Sequence, residues 1–95
     1  MTSVIDPNLE LSINERVTDI CRDVLEEPSI GIDDELEVFG AKSLTRIVIV
    51  SRLSAEFGIE FPPELMVELL TKSPSARVLS SRVIPLAHEA ANPPA

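Results

Sequence analysis

The sequence predicts an all-α domain: a small four-helix bundle of three main helices and one short helix, with a long structured loop between helices one and two. Two observations support this fold class. Apolar residues recur at helical spacing along most of the chain. The only aromatic residues are three Phe, so aliphatic side chains must fill the core, as suits a small bundle. A chain of 95 residues is enough for one domain with its own core.

Helix one is predicted over about Ile13–Glu26. Ser12 has the position of an N-cap, and Glu15 three residues later completes a capping box. Pro28 marks the end of the helix. Residues 1–11 are expected to form a flexible N-terminal arm. The apolar stripe of this helix consists of Ile13, Val17, Ile20, Cys21, Val24 and Leu25.

A long connection follows from Glu27 to Lys42. Loops of this length inside a compact domain are uncommon and often functional. Its apolar side chains are expected to hold it on the core, while its carboxylates stay in water. The apolar residues are Ile30, Ile32, Leu36 and Phe39, and the acids are Asp33, Asp34, Glu35 and Glu37.

Helix two is predicted over residues 43–57, although the β-branched run at residues 47–50 is typical of a strand. The stretch contains no Gly or Pro over fifteen residues, which is long for a strand. Gly58 then provides the C′ residue. The apolar residues form two faces, Ile49, Val50, Leu53 and Phe57 on one and Leu44, Ile47 and Val48 on the other. A helix that is apolar on two faces must bury one in its own core and the other against a partner.

Two further helices complete the bundle. Pro62-Pro63 opens a short helix that reaches about Leu70. Ser73-Pro74 provides the N-cap and first position of the last helix, and Pro85 kinks or ends it. Residues 89–95 are expected to be a flexible C-terminal tail, which leaves residues 12–88 as the folded domain.

Composition and charge exclude several classes of function. The net charge of −8 is contrary to nucleic-acid binding, which requires clustered Lys and Arg, and residues 1–40 alone carry −9. The single cysteine, Cys21, allows no internal disulfide and no thiolate cluster, and we interpret it as a buried inert thiol. The acids Asp33-Asp34-Glu35 lack the spacing of a calcium loop, so no metal is expected. No signal peptide or transmembrane run is present, so we expect a cytoplasmic protein without a membrane partner. We also expect a monomer.

Ser43 is the candidate functional residue. It lies between the acidic loop and helix two, in the sequence Phe39-Gly40-Ala41-Lys42-Ser43-Leu44. No His, Cys or carboxylate close in sequence is arranged to activate its hydroxyl. We therefore interpret Ser43 as a site that another enzyme modifies, rather than as a catalytic nucleophile. The simpler alternative is that Ser43 is only the N-cap of helix two.

Four segments in order resemble the acyl and peptidyl carrier proteins, four-helix domains that tether intermediates on a phosphopantetheine arm. The likeness covers about residues 12–88. It is carried by the acidic approach Asp33–Gly40, the pair Ser43-Leu44, the segment Glu56–Pro62 that closes helix two, and Ser73–Val83 at the last helix.

The resemblance implies a covalent 4′-phosphopantetheine, supplied by coenzyme A, on Ser43. It implies a protein that is not an enzyme but carries an acyl, aminoacyl or polyketide thioester. The partners that it implies are a phosphopantetheinyl transferase and adenylating, acyltransferase, condensing or ketosynthase enzymes.

The surroundings of Ser43 resemble carriers of nonribosomal peptide and polyketide systems more than fatty-acid carriers. Fatty-acid carriers typically have Asp before the serine, where this chain has Lys42, and their second helix is strongly acidic. Here Glu56 is the only acid of that helix. The residues expected to dock partners are Lys42, Leu44, Arg46, Ile47, Val48 and Arg52, with the apolar members in the centre and the arginines at the rim.

An alternative from another class stays open. A small helical adaptor would use the second apolar face of helix two as a permanent protein interface. Ser43 would then be only a helix cap.

Overall fold

Four α-helices and one short 3₁₀ helix form the fold in the computed structural model, which describes residues 7–72 and 74–91. The helices are α1 (Pro7–Leu25), the 3₁₀ helix (Leu36–Phe39), α2 (Ser43–Phe57), α3 (Pro63–Thr71) and α4 (Ala76–Ala91). The predicted all-α bundle with a long loop between the first two main helices is confirmed. Within the described ranges, no helix is both long and apolar enough to cross a bilayer.

The core is aliphatic, and every α-helix contributes an apolar stripe to it. α1 packs on both α4 and α2, and α2 also packs on α3. The buried apolar side chains of the helices are Ile13, Val17, Ile20 and Cys21 of α1, Ile49, Val50 and Leu53 of α2, Leu69 of α3, and Ala76, Leu79 and Val83 of α4.

The predicted start of α1 at Ile13 is wrong, because the helix begins at Pro7. Ser12 is therefore not an N-cap but an exposed residue inside the helix. Proline suits a first turn, where an amide hydrogen would have no partner within the helix. Residues 7–11 thus belong to α1, and the rest of the predicted arm lies outside the described residues.

Both helices that flank the long loop end at a residue with positive φ. Glu26, with φ of 53°, follows α1, and the Glu27 amide donates to the Arg22 carbonyl oxygen at 3.0 Å. Gly58, with φ of 62°, follows α2 and bonds back to the Ser54 carbonyl. Left-handed residues of this kind are the usual way to close a helix, and Gly58 has the C′ position predicted for it.

The start of α4 differs from the prediction, whereas α3 agrees with it to within one residue at each end. α4 begins at Ala76, so Pro74 is not its first residue. The Ser75 hydroxyl oxygen accepts a hydrogen bond from the Val78 amide at 3.2 Å, which is the bond that an N-cap makes. The predicted N-cap, Ser73, lies outside the described residues.

Pro85 does not end α4, which continues to Ala91. A proline inside a helix removes one hydrogen bond of the backbone ladder. Residues 89–91 of the predicted tail are therefore helical, and residues 92–95 lie outside the described ranges.

Candidate functional site

The long loop before Ser43 is held on the core by its apolar residues, as predicted. Ile30 and Leu36 are fully buried, while Ile32 and Phe39 pack partly buried against the core. The four acids of the loop are exposed.

Contacts to α4 and to the segment just before it fix the same loop. The Arg77 amide donates to the Ile32 carbonyl oxygen at 2.8 Å, and the Leu36 amide donates to the Pro74 carbonyl oxygen at 3.1 Å. The Arg77 guanidinium also pairs with Asp33, and this bond lowers the pKa of the Asp33 carboxyl from its ordinary value. The loop is thereby an ordered platform for the residues that follow.

A chain of backbone hydrogen bonds leads from the 3₁₀ helix to α2. The Gly40 amide donates to the Glu37 carbonyl at 3.0 Å, and the Ala41 amide to the Leu36 carbonyl at 3.1 Å. Gly40 has φ of 93°, a conformation that glycine adopts without strain. Ala41 is completely buried. The chain is thus anchored in the core two residues before Ser43.

Ser43 is the first residue of α2 and is exposed. The N-cap position belongs to Lys42, which is extended (φ −83°, ψ 177°) and whose carbonyl accepts the Arg46 amide at 2.8 Å. No side chain caps the helix. The reading of Ser43 as a simple N-cap is therefore wrong. The adaptor alternative also took Ser43 to be only a helix cap, and the serine does not have that role in this geometry.

The chemistry available to Ser43 follows from these surroundings. Its hydroxyl forms no hydrogen bond with another described residue, so no base of the described chain activates it. The first amides of α2 lack side-chain acceptors, and a helix N-terminus of this kind favours an anion. The site suits a hydroxyl that is modified from outside with a negatively charged group.

The two apolar faces of α2 are assigned as predicted. Ile49, Val50 and Leu53 are at most 4% exposed. Phe57, on the same face, is half-buried beneath the Arg16 guanidinium, which lies 4.4 Å from the ring centre. On the opposite face the exposed side chains are Leu44 (75%), Ile47 (43%) and Val48 (45%).

Two open grooves lie along α2 at this exposed ridge, and Ile47 lines both. A groove of about 690 Å³ separates α2 from the segment after it and is lined by Ile47, Val50, Phe61 and Met66. A smaller depression of about 370 Å³ lies along Ile47, Val48 and Arg52. Both are open surface features into which side chains of a partner could insert.

The two arginines expected at the rim of this face are engaged within the domain. Arg46 is half-buried, and its Nη1 donates to the Lys72 carbonyl oxygen at 2.8 Å, at the C-terminal end of α3. Arg52 pairs with Asp23 of α1 at 2.9 Å. Both therefore hold helices together. Lys42 is exposed beside Ser43, as expected.

Two exposed residues near Ser43 were not identified from the sequence. Val38 is 76% exposed, because Leu36 and Phe39 turn inward on the short 3₁₀ helix and direct it outward. The i, i+3 spacing of those two residues was a signal for this orientation. Lys72 lies beside α2 through its contact with Arg46, and no sequence pattern indicated that contact.

Other candidate chemistry is limited. Burial raises the pKa of the Cys21 thiol to about 12, so it is the buried, inert thiol that we expected. Over the described residues, no group of three or more His, Cys, Asp or Glu is placed to hold a metal ion.

Comparison with known families identifies the domain. Residues 15–80 match the family described as a phosphopantetheine attachment site, a range from the middle of α1 to the first turns of α4. No curated protein and no solved structure matches the chain significantly. The matched range covers well over half of the sequence and includes the loop, Ser43 and all of α2. The chain therefore belongs to the phosphopantetheine attachment-site family, whose domains are non-catalytic carriers with a covalent 4′-phosphopantetheine.

Proposed function

We propose that this protein carries an acyl, aminoacyl or polyketide intermediate as a thioester on a 4′-phosphopantetheine arm attached to Ser43. The observation that carries the proposal is the position of Ser43 within the family match. It is the first residue of α2 and is exposed, and its hydroxyl forms no hydrogen bond with another described residue.

The attachment step is a phosphoryl transfer catalysed by a separate transferase. The Ser43 hydroxyl oxygen bonds to the phosphorus of coenzyme A that bears pantetheine, and the hydroxyl proton passes to a base of the transferase. The bond from this phosphorus to the bridging oxygen of the pyrophosphate breaks, and adenosine 3′,5′-bisphosphate leaves. The thiol at the end of the arm then accepts the acyl group from a loading enzyme.

The start of α2 suits the resulting phosphodiester. The unpaired amides and the helix dipole favour an anion there by about 0.3–1 kcal/mol. Lys42 adds an exposed cation one residue away. Because Ala41 is buried, the base of the arm stays fixed relative to the bundle.

The exposed face of α2 supports a carrier of the nonribosomal peptide or polyketide type, working with adenylating, acyltransferase, condensing or ketosynthase enzymes. Its centre is apolar, at Leu44, Ile47 and Val48, and the first turn of α2 contains no acid. Partners would dock there through apolar contact. Arg52 lies half-exposed at the edge, with its charge partly offset by Asp23. A cytoplasmic location is part of the same proposal.

Intact-mass measurement after incubation with coenzyme A and a broad-specificity phosphopantetheinyl transferase tests the attachment. The wild-type chain should gain one phosphopantetheine, and Ser43→Ala should gain none. Ser43→Ala should also keep its stability within about 0.5 kcal/mol, because the hydroxyl caps nothing.

Ser12→Ala is the matched control, since Ser12 is an exposed serine on α1. It should gain the arm as the wild type does. A Ser43→Ala protein that still gains the mass of the arm would contradict the assignment of Ser43.

A further inference from the structure

The arginines of the described chain are all bound within the domain. Five form ion pairs with carboxylates: Arg16–Glu56, Arg22–Asp19, Arg52–Asp23, Arg77–Asp33 and Arg82–Glu68. Arg46, the sixth, donates to the Lys72 carbonyl. The remaining cationic side chains are Lys42 and Lys72, and both are exposed without an ion pair to a described residue.

Both lysines are connected to the first turn of α2 through Arg46. Lys42 precedes it directly, and its carbonyl accepts the Arg46 amide at 2.8 Å. The guanidinium of the same Arg46 reaches the Lys72 carbonyl, also at 2.8 Å. One arginine therefore joins the end of α3 to the first turn of α2, which brings Lys72 to the end of the bundle where Ser43 begins α2.

Carboxylates without an ion pair are not confined to the end of the bundle where Ser43 begins α2. Exposed acids without an ion pair occur on α1, on the loop and on α3, including Glu10, Glu37 and Glu64. Such charges are general in a chain with a net charge of −8 and mark no single face. The two lysines without an ion pair to a described residue, by contrast, are Lys42, directly before the functional serine, and Lys72, at the end of α3 that Arg46 joins to α2.

Exposed apolar side chains also lie close to Ser43 along the chain. Leu44 is 75% exposed directly after Ser43, and Val38 is 76% exposed on the 3₁₀ helix before it. Exposed apolar side chains bounded by charged ones are typical of a docking surface, in which the charges at the rim set orientation.

We propose that the enzymes acting at Ser43 present carboxylates to Lys42 and Lys72, which form a cationic rim on the apolar docking surface. This inference rests on the proposed function and names the chemistry of its partners. It assigns to the two lysines the orienting role that the arginines cannot fill while they hold the helices together.

Steady-state kinetics of arm attachment provide the test, with the transferase that modifies the wild-type chain fastest among several. Lys42→Gln and Lys72→Gln should each raise the KM for the carrier about two- to fivefold, as expected for the loss of one exposed ion pair. The double variant should raise it about tenfold. The kcat and the KM for coenzyme A should not change, and Lys42→Arg with Lys72→Arg should restore the wild-type KM.

Ser12→Glu is the matched control, because it changes the net charge by the same amount as one Lys→Gln substitution. The pairs Arg16–Glu56 and Arg52–Asp23 show that α1 and α2 run antiparallel. Ser12 therefore lies near the end of α2 remote from Ser43. Its variant should keep the wild-type KM.

Several results would overturn the inference. They are an unchanged KM for the carrier in the double Gln variant, an equal rise in Ser12→Glu, or a rise confined to the KM for coenzyme A. The last result would mean that the lysines bind the phosphates of coenzyme A rather than carboxylates of the enzyme. Absence of any modification of wild-type Ser43 would instead contradict the proposed function, and this inference with it.

Discussion

Gly40 sets the direction in which the chain enters α2. Its φ of 93° is in the left-handed region, and a Cβ at this position would meet no atom within 4 Å. A substitution there would therefore cost backbone strain without a steric clash. The buried Ala41 and the extended Lys42 follow it, so strain at Gly40 also changes how Ser43 is presented.

We predict that Gly40→Ala lowers the free energy of unfolding by about 1 kcal/mol, the usual cost of a Cβ in this conformation. Urea unfolding followed by circular dichroism measures this change, and the rate of arm attachment should fall in parallel. Gly31→Ala is the control, because Gly31 has no positive φ and its nearest neighbour is the exposed Asp34 side chain. Equal losses in the two variants would argue against strain at Gly40.

The two faces of α2 give the clearest prediction for a single element. Leu53 is fully buried, so Leu53→Asp places an unpaired charge in the core and should unfold a domain of marginal stability. Val48 is 45% exposed, so Val48→Asp should fold normally. It should nevertheless weaken arm attachment about five- to tenfold, because burial of a valine contributes about 1 kcal/mol or more. Circular dichroism and attachment kinetics measure the two effects.

Val78→Asp is the matched control, since Val78 is a valine of similar exposure (40%) on α4. It should affect neither folding nor attachment. High salt should not reproduce the loss in Val48→Asp, because apolar contacts are not screened. A stable Leu53→Asp together with an unfolded Val48→Asp would mean that the faces are assigned backwards.

The elements differ in how far the sequence predicts them. α2 is predicted correctly, because its length without Gly or Pro and its two-sided pattern outweigh the β-propensity of residues 47–50. The start of α1 is missed because Ser12 and Glu15 form a plausible capping box, although Pro7 is an equally good start signal. Pro85 is tolerated within α4, where Val83 is buried, because tertiary packing overrides a local breaker.

The site is less predictable than the fold. The position of Ser43 follows from local sequence, because the acidic loop and the helix that flank it are both readable. The engagement of Arg46 and Arg52 depends on which helices meet, since their partners lie 26 and 29 residues away in sequence. Residues that act across such distances show no periodic pattern. The sequence alone therefore could not show which charged residues of the docking surface are bound within the domain. The structure was needed to distinguish them from the charged residues without an ion pair.

For the molecule as a whole, the dimensions suit a single compact chain. The radius of gyration is 13.2 Å, close to the value of about 13 Å for a folded domain of about 100 residues. We predict that size-exclusion chromatography with light scattering gives the monomer mass of 10.4 kDa across micromolar concentrations. A dimer that dissociates on Val48→Asp would mean that the exposed face of α2 binds a second copy.

The arginines form contacts within the domain, whereas the two lysines form no ion pair with a described residue. This difference determines which substitutions the fold can accept. An arginine substitution alters the packing of helices, because each guanidinium joins two parts of the domain or caps a helix end. A lysine substitution alters only an exposed side chain that forms no ion pair with a described residue. If Lys42 and Lys72 orient partners as proposed, partner choice can be changed at these two positions without loss of the contacts that hold the helices together. A redesign of the carrier for other partner enzymes would begin with these two positions and leave the six arginines untouched.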